Sequence, residues 1–131
     1  MMPWKYEVHP TLGIVEVTYT GRVSGQDIHD LTSELLALEK EQGKIGFLVD
    51  TTNMEFTGSL FDIYELPAKQ YVEEEADRLN PIAVILSTSP KEKKAAKFYE
   101  LVCLNRGWIA KSFEERQDAT NWLTHQLKGL E

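Results

Sequence analysis

Two extended segments open the chain, residues 5–9 and 13–20. In the second, Glu16 and Thr18 alternate with Val17 and Tyr19 behind Ile14 and Val15, the two-residue period of a strand with one buried face. Between the segments, Pro10 and Gly13 supply the backbone preferences of a hairpin turn. Residues 45–50 and 81–86 have a different pattern, short and almost continuously apolar, which predicts strands covered on both faces. Residues 108–113 form a last short strand candidate.

Between these strands the period lengthens to that of a helix. Ser24 and Asp27 are spaced as a capping box, and Val23 and Ile28 as the staple around it. The helix that follows places Ile28, Leu31, Leu35 and Leu38 on one face and stops at Gly43. Residues 59–80 repeat a helical pattern that Pro67 must break or restart, because a proline ring removes a helix hydrogen bond. Ser89, Pro90 and Glu92 then combine an N-cap, a first-turn proline and a capping-box carboxylate. The helix they start buries Ala95, Phe98, Tyr99 and Val102 and closes near Gly107. Ala119, Trp122, Leu123 and Leu127 mark a final amphipathic helix. The predicted order is β-β-α-β-α-β-α-β-α: an α/β fold with a mixed, mostly parallel sheet of about five strands and four helices. No linker or repeat divides it, so residues 1–129 are expected to form one domain. Leu130 and Glu131 have the look of a cloning scar.

Charge narrows the functional classes. Fourteen basic residues stand against twenty-one acidic ones, a net charge of −7, which repels phosphate backbones and argues against nucleic-acid binding. The longest apolar run, residues 82–86, is far short of the ~20 residues a membrane span needs. No signal-peptide pattern opens the chain, and its single cysteine, Cys103, forms no internal disulfide. A cytoplasmic protein without stable membrane insertion is the expectation.

Candidate chemistry is sparse. His9, His29 and His125 lack the spacing of a helical metal site, so no metal and no cofactor is expected. Cys103 lies within an apolar helix face as an inert thiol. Ser87, Thr88 and Ser89 precede Lys91, Lys93, Lys94 and Lys97, a local basic concentration in an acidic chain. With the free N–H groups of a helix start, Ser87, Thr88, Ser89, Lys91 and Lys94 form a candidate anion site; a solvated lysine face is the other reading. The segment around Phe56, Leu60, Phe61, Ile63, Tyr64 and Leu66 is more apolar than one helical stripe requires, which marks Phe61 and Tyr64 as candidates for an exposed surface.

Three stretches carry a family resemblance: Tyr19 through Asp27, the run from Phe47 to Asp50 leading to Phe56, Thr57, Gly58 and Ser59, and Ser112 and Phe113 followed by Ala119 to Leu123. Over residues 6–127 the chain resembles the sulfate-transporter and anti-sigma-factor-antagonist (STAS) fold in its SpoIIAA-like branch. The resemblance implies a phosphoacceptor serine just after the central strand, which falls on Ser59. The family's Asp-Ser-Ser-Gly-like motif is only partly present, with Gly58 in place of the Asp and Leu60 in place of the second Ser. Ser59 and Thr57 are equally N-cap candidates.

The resemblance further implies a regulatory or protein-interaction domain, not an enzyme, with a partner surface of Asn53, Phe56, Thr57, Phe61 and Tyr64. The alternative is a carrier of a small apolar ligand or lipid, which would need an apolar pocket on the order of several hundred Å³ beneath the bent second helix. An enzyme would instead need Asp50, Thr51, Asn53 and Ser87 to converge at the strand ends. Self-pairing into a homodimer is left open.

Overall fold

The computed structural model describes residues 2–129. Strand β1 (Trp4–His9) turns back into β2 (Ile14–Val23) as an antiparallel hairpin, with Tyr6 opposite Val17. The turn closes through Gly13, whose φ of 68° favours glycine and whose N–H donates to the carbonyl of His9. Helix α1 (Gly25–Gln42) leads to β3 (Gly46–Phe56), which pairs parallel to β2. A helical run of α2 (Leu60–Glu65), a π-helical turn (Leu66–Gln70) and α3 (Tyr71–Glu73) leads to β4 (Ile82–Ile85). Helix α4 (Pro90–Asn105), β5 (Ala110–Phe113) and α5 (Arg116–Lys128) complete the chain. The strands lie in sequence order, β1-β2-β3-β4-β5, with every pair after the first parallel. The predicted mixed sheet and its four helical segments are therefore observed.

Strand alternation divides the core in two. Val15, Val17 and Tyr19 point with Phe47, Val84 and Ala110 to the face covered by α1, the second helical run and α4. Ile14, Leu48, Ala83 and Ile85 point to the opposite face, where Ala119 and Leu123 of α5 cover them. Gly46 lies beneath α5: a Cβ there would come within 2.8 Å of Leu123.

Two expectations need correction. Strands β2 and β3 extend past residues 20 and 50 to Val23 and Phe56, because their pairing resumes beyond a register shift between Thr18 and Thr20. The polar run of Asp50, Thr51, Thr52 and Asn53 is thus strand, not the end of one. The second helical pattern ends at Glu73, short of residue 80, and Pro67 stands in the first turn of the π segment that follows α2, where the run was expected to change. The run widens locally to a π turn around the buried ring, and the Pro67 carbonyl accepts a hydrogen bond from the Trp108 indole at 3.0 Å. Leu130 and Glu131 lie outside the described residues.

Leu123→Ala should cost about 2–5 kcal/mol of unfolding free energy in urea, since Leu123 is fully buried in the smaller half of the core. The same truncation at exposed Leu79 should change stability by less than ~0.5 kcal/mol.

Candidate functional site

The end of β3 and the start of α2 form the site, and a buried carboxylate fixes their position. Glu92, in the first turn of α4, is 3% exposed. It accepts the Phe56 N–H at 2.8 Å and a short hydrogen bond from the Ser89 hydroxyl. Burial alone would raise the Glu92 pKa, but the hydrogen bonds from Ser89 and Phe56 outweigh it and hold the carboxyl below the usual glutamate value. This carboxylate fills the helix start where the sequence suggested an anion site. Ser87 is buried and accepts the Ser89 N–H, Ser89 donates to Glu92, and Thr88, Lys91 and Lys94 are exposed beside them. The chain thus places an anion of its own beside these residues. Lys93 pairs instead with Glu114 at 2.8 Å.

From Phe56 the chain passes through Thr57 and Gly58 to Ser59, the N-cap of α2. The Ser59 Oγ accepts the Asp62 N–H at 3.3 Å, and Asp62 Oδ2 accepts the Ser59 N–H at 2.9 Å, closing a capping box. The Ser59 hydroxyl also lies 3.2 Å from the same carboxylate oxygen. Ser59 is solvent-exposed, as is Thr57, whose hydroxyl donates to the Val23 carbonyl. Two glycines make room for Asp62. A Cβ at Gly25, the first residue of α1, would come 2.4 Å from its carboxyl group, and one at Gly58 would come 2.8 Å from Oδ2. The starts of α1, capped by its own Ser24–Asp27 box, and of α2 therefore meet at Asp62.

Beyond the cap, Phe61 is 64% exposed and stacks on Tyr64, with ring centroids 6.3 Å apart. Arg106 holds Tyr64 in place, donating to its hydroxyl at 2.7 Å with the guanidinium 5.2 Å above the ring. Phe61 has no such tether. Asn53 is exposed on β3, whereas Phe56 does not belong to the surface: it is 2% exposed and packs in the core, because β3 continues through it.

The remaining candidates separate. Asp50 is bound by Arg116 at 2.6 Å, and Thr51 donates to the Ile85 carbonyl, so Asp50, Thr51, Asn53 and Ser87 do not converge with free polar groups. Burial raises the Cys103 pKa to about 12, leaving an unreactive thiol. His9 meets Glu7 and Glu16 across the β1–β2 hairpin, with ligand atoms within 4.8 Å of one another. Helix spacing could not reveal this trio; strand alternation and the hairpin register create it. Its Glu16 is already paired with Arg116 at 2.9 Å. Beneath the second helical run lies a cavity of about 120 Å³ among Tyr19, Leu36, Phe47, Tyr71 and Trp108.

A family profile described as SpoIIAA-like matches residues 14–124. Among solved structures, the chain is similar to an uncharacterized protein of the DUF3478 family with a SpoIIAA-like fold from Shewanella loihica PV-4. That likeness has 18% identity and a TM-score of 0.59, covering 92% of this chain and 91% of that one. It is also similar to the anti-sigma factor antagonist SpoIIAA in its unphosphorylated form, with 17% identity and a TM-score of 0.51 over 91% of this chain and 95% of that one. No curated protein matches the chain.

Glu92→Gln should lower stability by about 1.5–3 kcal/mol at neutral pH, the worth of hydrogen bonds to a charged group. Because the folded pKa is depressed, the unfolded chain takes up the proton first. The wild-type advantage should be complete above the ordinary value of 4.5 and vanish as pH falls below it, measured by urea titration across that range. Ser59→Ala should cost about 0.5–2 kcal/mol through the lost cap.

Proposed function

The chain belongs to the SpoIIAA-like family, and on that footing we propose that it is a non-enzymatic regulatory domain that docks a partner protein at the start of α2. Residues 1–129 act as one domain in the cytoplasm. The observation that carries this reading is the juxtaposition of an exposed, untethered Phe61 with an exposed Ser59 inside a capping box. An aromatic side chain on a braced shelf is what an interface anchor requires, because it buries a large area at small entropic cost. Phe61 enters the partner, Tyr64 and its Arg106 brace form the shelf, and Asn53 and Thr57 lie on the rim.

Ser59 gives this surface a switch. A phosphate on Oγ would bring a charge of −1.5 to −2 beside Asp62, whose oxygen is 3.2 Å from that hydroxyl. Two unit charges at 4 Å repel by about 1 kcal/mol in water and about 4 kcal/mol near a protein surface. The helix dipole returns only about 0.3–1 kcal/mol. Repulsion wins, so the modified serine expels Asp62, opens the box and shifts the turn that presents Phe61. A lipid carrier is not favoured, because a cavity of about 120 Å³ is well below the roughly 300 Å³ where ligand pockets begin.

The tagged protein, used as bait in extract of its native cells, should retain a specific partner. Phe61→Ala and Ser59→Glu should each reduce that capture at least ~10-fold, the loss of about 1.4 kcal/mol or more. Leu79→Ala, an equally exposed truncation elsewhere, should leave it unchanged. Equal capture by Phe61→Ala would contradict the reading.

A further inference from the structure

Strand β1 forms an edge of the sheet, with β2 as its single neighbour. Its six residues pair in unbroken register, with neither a bulge nor a proline among them. Natural edges are usually blunted by such devices, because an open edge presents unpaired backbone groups to any other strand. The opposite edge, β5, is blunted by its length of four residues.

The hydrogen-bond phase of the hairpin determines which groups of β1 are open. Pro3 precedes the Trp4–Tyr19 pair, and its carbonyl accepts the Thr20 N–H at 2.9 Å. Alternation along an antiparallel ladder then turns the backbone groups of Lys5, Glu7 and His9 toward β2 and those of Trp4, Tyr6 and Val8 outward. No hydrogen bond joins these outward groups to another described segment. The side chains alternate as well. Trp4, Tyr6 and Val8 share a face with Tyr19, Val17 and Val15, where Trp4 and Val8 pack against the larger core and Tyr6 is 40% exposed. Lys5 and Glu7 are exposed on the other face. Lys5 forms no ion pair among the described residues, and Glu7 is 3.8 Å from the His9 ring.

This strand is complementary to itself in one register. Antiparallel pairing of two copies centred on Lys5 opposes two lysines, and pairing centred on Glu7 opposes two glutamates, each a destabilising contact. Centred on Tyr6, it sets each Lys5 opposite the Glu7 of the other copy. That register also engages the outward groups of Trp4, Tyr6 and Val8 in both copies, whereas either neighbouring register leaves one of them beyond the strand's end. We propose that β1 pairs with the β1 of a second copy, antiparallel about a two-fold axis at Tyr6, and so joins two five-stranded sheets through their edges. A second copy fits this edge because the charge order of the strand, reversed, is its own complement. No residue of β1 belongs to the docking surface at α2.

The test is sedimentation velocity of the full chain from about 5 to 500 µM in about 0.15 M salt, which screens the net charge of −7. A concentration-dependent monomer–dimer equilibrium is expected. Tyr6→Pro removes a backbone donor that points away from β2, a change that edge strands tolerate. It should weaken dimerisation at least ~10-fold while the far-UV circular dichroism spectrum is retained. Charge reversals read the register without touching the backbone. Lys5→Glu and Glu7→Lys should each weaken self-association about 10-fold, and an equal mixture of the two variants should dimerise as the wild type does, since opposite charges then meet at both positions. Phe61→Ala should leave the equilibrium unchanged, so failure here and failure of the docking reading are distinguishable. A monomer at every concentration, or a dimer indifferent to both charge reversals, would overturn the proposal.

Discussion

The Glu92 carboxylate is the constraint on which the rest of the site depends. It is a charge removed from water, so it persists only because the Phe56 N–H and the Ser89 hydroxyl satisfy it. In doing so it joins the last residue of β3 to the first turn of α4. Thr57, which follows, is held in turn by its N–H on the Val23 carbonyl at 2.8 Å. The start of α2 is thereby positioned by a buried hydrogen-bonded anchor and not by loop packing alone.

From that anchor outward, order gives way to adjustability. Phe56 and Glu92 are buried, Asp62 is half-buried between two glycines, and Ser59 and Phe61 are in solvent. A capping box on an exposed turn contributes only about 0.5–2 kcal/mol, so a single charge can overturn it while the sheet beneath stays intact. The fold thus separates the part that must not move, the two-layered core, from a part whose stability is comparable to one modification. Within the π turn the buried Gln70 amide is oriented by three partners, with its Oε1 left over.

Much of this was legible in the residue pattern. The Ser24 box, the order of elements along the chain and the exposure of Phe61 and Tyr64 all follow from period and capping rules that act over a few residues. Ser59 was legible as a cap, although its partner Asp62 and the glycines that admit Asp62 were not, because Gly25 is 37 residues away. Phe56 was misplaced for a related reason: the polar run before it reads as a strand end, and only pairing with β2 carries the strand on to bury it. The residue pattern marks Glu92 only as a capping residue, and its bond to the Phe56 N–H, 36 residues away, is invisible to local rules. Pro67 marks a change in the run, as the pattern requires, but local rules do not anticipate that the change is a π turn. In each case the missing information was a contact between distant segments.

The measurement that tests the account most directly is hydrogen exchange, with phosphoserine installed at position 59 and compared with the unmodified chain. Faster exchange of the Asp62 and Ile63 amides is expected, with unchanged protection at Phe56 and throughout β3 and β4. Unchanged protection at Asp62 would contradict it, because the box would then survive the charge that is held to open it.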